Sequence, residues 1–149
     1  MNKLRLSVIT LMLLSQSIYA TDIIKEGQEY PIEKLKEQNK KIIKMVVEEI
    51  SKTLPQKVDK YTEMTKIRDE NLTLIYTFEI NTGAKNDEAV KKEDKERMKK
   101  AVTKGVCQSS KRFIEAGVSL TYEYLSATSK KELFFFHMNK SICKELKND

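Results

Sequence analysis

The sequence predicts an α+β fold, with one antiparallel sheet of about four strands, helices on one face of that sheet and one disulfide. Apolar residues recur at helical spacing over residues 32–50, whereas residues 72–80 and 118–138 contain the alternation typical of strands. The two cysteines, Cys107 and Cys143, enclose the second of these strand-rich stretches. The expected order of elements is α-β-β-α-α-β-β.

The first twenty residues have the three parts of a secretory signal peptide. Lys3 and Arg5 precede an apolar run, and the segment SQSIYA ends at the small residue Ala20. The apolar run is too short to span a membrane comfortably, although an uncleaved anchor is the alternative. We expect cleavage near Ala20, with Ser17 as a second choice. Residues 21–149 are then expected to form a single domain without a transmembrane segment, periplasmic or secreted.

The charge of the chain does not indicate a nucleic-acid partner. Lysine and arginine total 28 against 22 acidic residues, and the two signs are interspersed. A nucleic-acid interface would favour arginine and aromatic residues clustered on one face, and this chain is lysine-rich and has no tryptophan. The expected partner is another envelope or secreted protein.

An exported chain with an even number of cysteines normally pairs them, which predicts a Cys107–Cys143 disulfide. Closing this loop is expected to stabilise the fold by about 4 kcal/mol. Two free or metal-binding thiols are the alternative, but no second pair of ligands accompanies them. We therefore expect no metal and no cofactor.

The first half of the chain predicts a helix followed by a hairpin. Pro31 suits the first turn of a helix over Ile32 to Thr53, and Leu54–Pro55 ends that helix. Residues 58–68 alternate weakly and residues 72–80 alternate clearly, so the two are expected to form an antiparallel hairpin around 68–71.

Residues 81–100 are dense in charge and predict a solvated helix. Its apolar stripe is thin and contains Val90, Met98, Ala101 and Val102. The alternative is a basic docking surface formed by Lys91, Lys92, Lys95, Arg97, Lys99 and Lys100. A break or bend at Thr103–Gly105 and a short helix from about Cys107 to Ala116 are expected next, ending at Gly117.

The last two predicted strands are rich in aromatic residues. Residues 118–124 alternate, whereas residues 133–138 are apolar on both faces, which favours a central position in the sheet or a cover on both sides. One phase of these strands could be exposed and bind a partner. The candidate partner-binding residues are Tyr122, Tyr124, Phe134 and Phe136.

No pattern of residues indicates catalysis. His137 is the only histidine, and no serine, cysteine or aspartate is spaced as its partner. The glycines are isolated, so no phosphate-binding loop is expected. Glu79 and Glu123 fall on the solvent phase of their strands, which suits surface roles. We expect no catalytic residues, and a small exported enzyme is the weakest of the functional hypotheses.

Residues 54–143 contain a spaced set of framework residues: a Leu-Pro entry to a strand, a Leu-x-Tyr-x-Phe strand, a first cysteine, a glycine with Tyr-x-Tyr in the third strand, and a final cysteine. In this set the chain resembles the β-type pilotins of type II secretion systems. The resemblance implies a helix-covered sheet with a single disulfide. It also implies that ten residues have a structural rather than a catalytic role: Leu54, Pro55, Asp59, Thr62, Tyr76, Cys107, Gly117, Tyr122, Tyr124 and Cys143. Pilotins of that kind are lipoproteins, and this sequence has no lipidation cysteine near its predicted cleavage site.

Together these observations predict a non-catalytic, disulfide-stabilised, protein-binding module, an accessory of envelope secretion or surface assembly. The alternative is an inhibitor or immunity protein that blocks an exported enzyme.

Overall fold

The structure is a computed structural model and describes residues 31–146. The predicted signal peptide (1–20) and the segment that follows it (21–30) lie outside the described residues. Among residues 31–146, no helix combines the length and the hydropathy needed to cross a bilayer.

The described chain forms four helices and five strands. In order they are α1 (Ile32–Ser51), β1 (Gln56–Lys57), β2 (Thr62–Glu70), β3 (Thr73–Ile80), α2 (Asp87–Ser109), α3 (Lys111–Glu115), β4 (Ser119–Ser126), β5 (Glu132–Met138) and α4 (Lys140–Glu145). The α+β class and the order of the main elements are confirmed. The short strand β1 and the terminal helix α4 are additions to the predicted order.

The strands lie in one sheet in the order β1-β2-β3-β4-β5. The β2–β3 hairpin is present, and Asn71 makes its turn with a φ of 55°. The sheet is mixed rather than wholly antiparallel, because β3 and β4 run parallel. The reason is the connection between them: α2 and α3 carry the chain back to the starting end of the sheet, as neighbouring parallel strands require.

The last strand, β5, lies at an edge of the sheet and not at its centre. Consecutive side chains of a strand point to opposite faces of the sheet. In β5, Phe135 lies on the uncovered face and is 51% exposed. Most apolar residues of this strand, Leu133 included, are therefore buried in the core, and Phe135 is its exposed aromatic ring.

The long helices α1 and α2 pack on the same face of the sheet, as predicted. Ile43 of α1 is fully buried against Ile67 and Leu74 of the hairpin. Val90 and Val106 of α2 are buried in a second cluster with aromatic residues of β4 and β5. The two clusters share Tyr76 at their margin, so one continuous apolar layer separates the helices from the sheet.

Helix α2 is longer than predicted. It continues through Gly105 and contains Cys107, and the chain bends only at Ser110. Glycine inside a helix costs about 1 kcal/mol relative to alanine. Here Thr103 and Val106 are buried on either side of Gly105, and this packing keeps the helix intact. Gly117, with a φ of 90°, follows α3 in the left-handed conformation predicted for it.

The expected disulfide joins Cys107 of α2 to Cys143 of α4, with 5.4 Å between the two Cα atoms. Asn139 begins α4, and its side-chain oxygen accepts hydrogen bonds from the backbone N–H groups of Ser141 and Ile142. The sequence thus places Cys143 on a short capped helix directly after β5, facing α2.

Candidate partner-binding site

The four aromatic residues predicted to bind a partner lie together on the helix-covered face. Tyr122 is paired with Phe136 in the sheet, and Tyr124 with Phe134. Phe134, Phe136 and Tyr124 are buried, at 2%, 5% and 7% exposure. Most of this strip is therefore core beneath α2, and partner binding across the whole strip stays a prediction that requires α2 to move.

The strip continues into a cluster of stacked rings. The ring of Phe78 lies 4.9 Å from that of Tyr124 and 5.4 Å from that of Tyr122, and both pairs are nearly parallel. Phe134 and Phe136 stack at 6.0 Å. Such pairs contribute about 0.5–1.5 kcal/mol each beyond the apolar area that they bury. The cluster therefore forms a rigid aromatic floor.

Burial also changes the acidity of the two tyrosines. It raises the pKa of Tyr124 to about 12, with a smaller effect from the negative charge of Asp59. The pKa of Tyr122 is also raised, first by burial and then by the neighbouring Tyr76 and Tyr124. Both phenols are neutral at physiological pH, so the floor carries no charge.

Two of the predicted residues reach a cavity at the side of the core. Tyr124 and Phe134, with Phe78, line a groove of about 660 Å³ between the first half of α2 and the ends of β2 and β3. We call it the helix–sheet groove. Its helix wall contains Met98 and Val102, and its outer rim contains Val58 and Tyr61. Its volume is within the range of ordinary binding sites.

The rim of the groove is held by a tight turn between β1 and β2. The carboxylate of Asp59 accepts hydrogen bonds from the backbone N–H groups of Tyr61 and Thr62, at 2.7 and 2.8 Å. These bonds lower the pKa of Asp59, since they stabilise its ionised form. The turn holds Val58 and Tyr61 outward, and each side chain is 58% exposed. An apolar rim beside an apolar floor suits the binding of an apolar surface.

The basic residues that line the groove, Lys85 before α2 and Arg97 on α2, are paired locally. Lys85 bonds Glu93 at 2.5 Å, and Arg97 bonds Asp94 at 2.7 Å. Lys91, from the predicted basic surface, forms an ion pair with Glu88. The groove therefore presents little net charge, and the residues around it favour an apolar occupant over an ionic one.

The uncovered face of the sheet is largely polar, although it also contains Ile75 and Phe135. Arg68 and Glu123 form a paired set of hydrogen bonds there, and Thr77 donates a third to the same carboxylate at 3.1 Å. Thr121 Oγ1 and His137 Nδ1 are hydrogen-bonded at 2.9 Å. His137 is thus an edge histidine bonded to a buried threonine. Within residues 31–146, no group of three potential metal ligands comes together.

The sequence pattern predicted residues of the groove floor but not those of its rim. Met98 and Val102 belonged to the thin apolar stripe of the charge-dense helix, which was a usable signal. Val58 and Tyr61 lie in a weakly alternating stretch, and only the Asp59 turn shows that they project outward.

A family model described as "Domain of unknown function (DUF8479)" matches residues 19–134. The chain belongs to this family. The DUF8479 match covers every element from α1 to the start of β5. It therefore includes every residue named above for the helix–sheet groove. A comparison with curated proteins finds no match for this DUF8479 member.

Solved structures share the fold at low sequence identity. A Pseudomonas aeruginosa protein described as a "putative secreted protein" is 15% identical, with a TM-score of 0.62, over 73% of this chain and 96% of its own. The pilotin EpsS of the Vibrio vulnificus type 2 secretion system is 11% identical, with a TM-score of 0.59, over 74% and 96%.

The type II secretion system pilotin AspS from Vibrio cholerae is 15% identical, with a TM-score of 0.56, over 75% of this chain and 98% of its own. The predicted resemblance to pilotins is therefore confirmed at the level of fold for this DUF8479 protein. The shared architecture covers nearly the whole of each solved chain.

Proposed function

We propose that this protein is a non-catalytic, protein-binding module of the bacterial cell envelope and an accessory of secretion or surface assembly. Cleavage near Ala20, a single domain over residues 21–149 and a periplasmic or secreted location are parts of the same proposal. The observation that carries it is the helix–sheet groove, an apolar cavity with a rigid floor and an exposed apolar rim.

The proposed occupant is the apolar face of an amphipathic helix from the partner. Phe78, Tyr124 and Phe134 give a flat, uncharged floor, and the Met98 side chain can adapt to an irregular apolar surface. The basic residues Lys85 and Arg97 are already paired, so an acidic partner would have to compete with existing ion pairs. An apolar helix face meets no such competition.

The comparisons support the class of function. Two of the solved structures that share the fold are pilotins of type II secretion systems, and a third is described as a secreted protein. The family match begins at residue 19, within two residues of the end of the predicted signal peptide, which supports a domain that follows that peptide. A role without catalysis is supported by the environment of His137, whose Nδ1 is hydrogen-bonded to Thr121 in the sheet.

The test is affinity purification of the oxidised, exported protein from its own envelope fraction, with the captured protein identified and its binding repeated with purified components. Tyr61→Ser removes an exposed aromatic ring from the groove rim. Phe135→Ser is the matched control, because it removes an aromatic ring of similar exposure from the opposite face. We expect one dominant partner that Tyr61→Ser weakens and Phe135→Ser retains.

A Cys107→Ser/Cys143→Ser variant shows whether binding depends on the intact fold. Equal loss of the partner in Tyr61→Ser and Phe135→Ser would reject the groove as the site, and capture of no specific partner would reject the proposal. An exported enzyme as the partner, inhibited on binding, would instead establish the inhibitor or immunity function.

A further inference from the structure

A second cavity lies at the other end of α2, away from the helix–sheet groove. It has a volume of about 560 Å³ and is enclosed by the end of α2, by α3 and by α4. Its apolar lining contains the buried side chain of Ile114, the Cys107–Cys143 disulfide and Leu146. A cavity of this size with a largely apolar lining is suited to a small ligand.

The rim of this cavity is strongly basic. Five lysines line it: Lys100, Lys104, Lys111, Lys140 and Lys144. The acidic residue in the lining is Glu115, which forms an ion pair with Lys111 at 3.2 Å. Within residues 31–146, the other four lysines form no ion pair, and all four are exposed. We call this site the lysine-rimmed cavity.

The charges converge because of helical spacing and the disulfide. Lys100 and Lys104 are four residues apart on α2, and Lys140 and Lys144 are four residues apart on α4, so each pair lies on one face of its helix. The disulfide between Cys107 and Cys143 joins α2 to α4, so both lysine pairs line the same cavity. These exposed lysines give the rim a positive charge, which attracts an anion.

We propose that the lysine-rimmed cavity binds a single-chain anionic amphiphile. The hydrocarbon chain contacts Ile114, the disulfide and Leu146, and the carboxylate or phosphate head group lies among the lysines. Both chemical features of the cavity are then used: an anion alone would leave the apolar lining empty, and an uncharged hydrocarbon would leave the lysines unpaired. The site lies apart from the helix–sheet groove, so the proposal does not depend on the proposed protein partner.

The experiment is a titration of the isotopically labelled, oxidised protein with dodecanoate below its micelle concentration, followed by amide chemical shifts. We expect saturable shifts at residues that line the cavity. Acetate supplies the charge without the chain, and octanol supplies a chain without the charge. Each is expected to bind at least about tenfold more weakly than dodecanoate, since each makes only one kind of contact.

Two variants locate the binding. Lys140→Glu/Lys144→Glu is expected to weaken dodecanoate binding about tenfold, because it replaces two attractive charges with two repulsive ones. Lys92→Glu/Lys99→Glu makes the same change at exposed positions of α2 outside the cavity, and binding is expected to change less than about twofold. Thermal melts check that both variants fold. Leu146→Ser tests the apolar lining and is expected to weaken dodecanoate but not acetate.

The proposal is overturned if dodecanoate leaves these amides unshifted, if acetate binds as tightly as dodecanoate, or if both double variants lose binding equally. Binding of an acidic peptide in the cavity without binding of dodecanoate would also overturn it, and would assign the cavity to a protein partner instead. None of these outcomes alters the test of the helix–sheet groove, which uses Tyr61 and a different readout.

Discussion

Arg68 on β2 and Glu123 on β4 form a bidentate ion pair that passes over β3 on the uncovered face of the sheet. Nη1 of Arg68 lies 2.9 Å from Oε2 of Glu123, and Nη2 lies 2.8 Å from Oε1. Thr77 of β3 donates to the same carboxylate. One acidic side chain is therefore bonded to all three central strands, on the face that α1 and α2 leave uncovered.

This geometry predicts a measurable coupling between the two residues. In a double-mutant cycle with Arg68→Met and Glu123→Gln, followed by urea unfolding, we expect a coupling free energy of about 0.5–1 kcal/mol. A cycle on Glu33 and Lys36 of α1 is the control, because that pair is far more exposed and its coupling should be near the lower limit. Equal couplings in the two cycles would contradict the prediction.

The same pair predicts how stability varies with pH. The hydrogen bonds from Arg68, helped by its charge, hold the pKa of Glu123 below its ordinary value in the folded protein. The stabilisation is therefore fully present above the unfolded pKa and is lost as pH falls through the folded pKa. We expect the difference in unfolding free energy between wild type and Glu123→Gln to shrink as pH is lowered from 7 to 3. A difference that is constant over this range would reject the assignment.

A buried hydrogen bond from Asn39 connects α1 to the turn before β4, and its contribution to stability can be measured. Its buried side-chain amide donates a 2.8 Å hydrogen bond to the carbonyl oxygen of Ala116, just before β4. Asn39→Ala leaves that carbonyl without its donor and should lower the unfolding free energy by about 1–2 kcal/mol. Asn39→Asp should cost more, since a carboxylate cannot donate. Gln38→Ala, at an exposed neighbouring position, is expected to have little effect on chemical unfolding.

We expect the disulfide to contribute a large share of the stability of the domain. Cys107 and Cys143 are separated by 36 positions in the sequence. The variant Cys107→Ser/Cys143→Ser lacks the bond, and its unfolding free energy should be lower by about 4 kcal/mol. A reducing agent should lower the stability of the wild type but leave the variant unchanged. If the variant and the oxidised wild type unfold at the same urea concentration, the bond does not contribute as proposed.

Local signals in the sequence predicted individual elements well. Pro31 precedes α1, the alternation through Leu74 and Phe78 matches β3, and Gly117 adopts its positive φ after α3. Each of these depends on the conformation of a few neighbouring residues, which the sequence encodes directly.

Features that depend on distant contacts were harder to predict. The parallel pairing of β3 with β4 depends on the path of α2, and the continuity of α2 through Gly105 depends on its packing against the sheet. Strand alternation grouped Phe134 with Phe136 correctly, but it could not show which face α2 covers. Phe135, in the opposite phase, is the exposed ring of that strand.

The bond between α2 and α4 also has a mechanical consequence. It closes a covalent ring around α3, β4 and β5, whereas α1 and the first three strands lie outside it. When the oxidised chain is pulled from its ends, the 36-residue separation keeps about 120 Å of contour length from extending. Reduction should release this hidden length in a force-extension experiment. To pass through a narrow pore, the oxidised protein would have to move more than one segment of its chain side by side at this loop. The reduced protein could pass as a single extended chain.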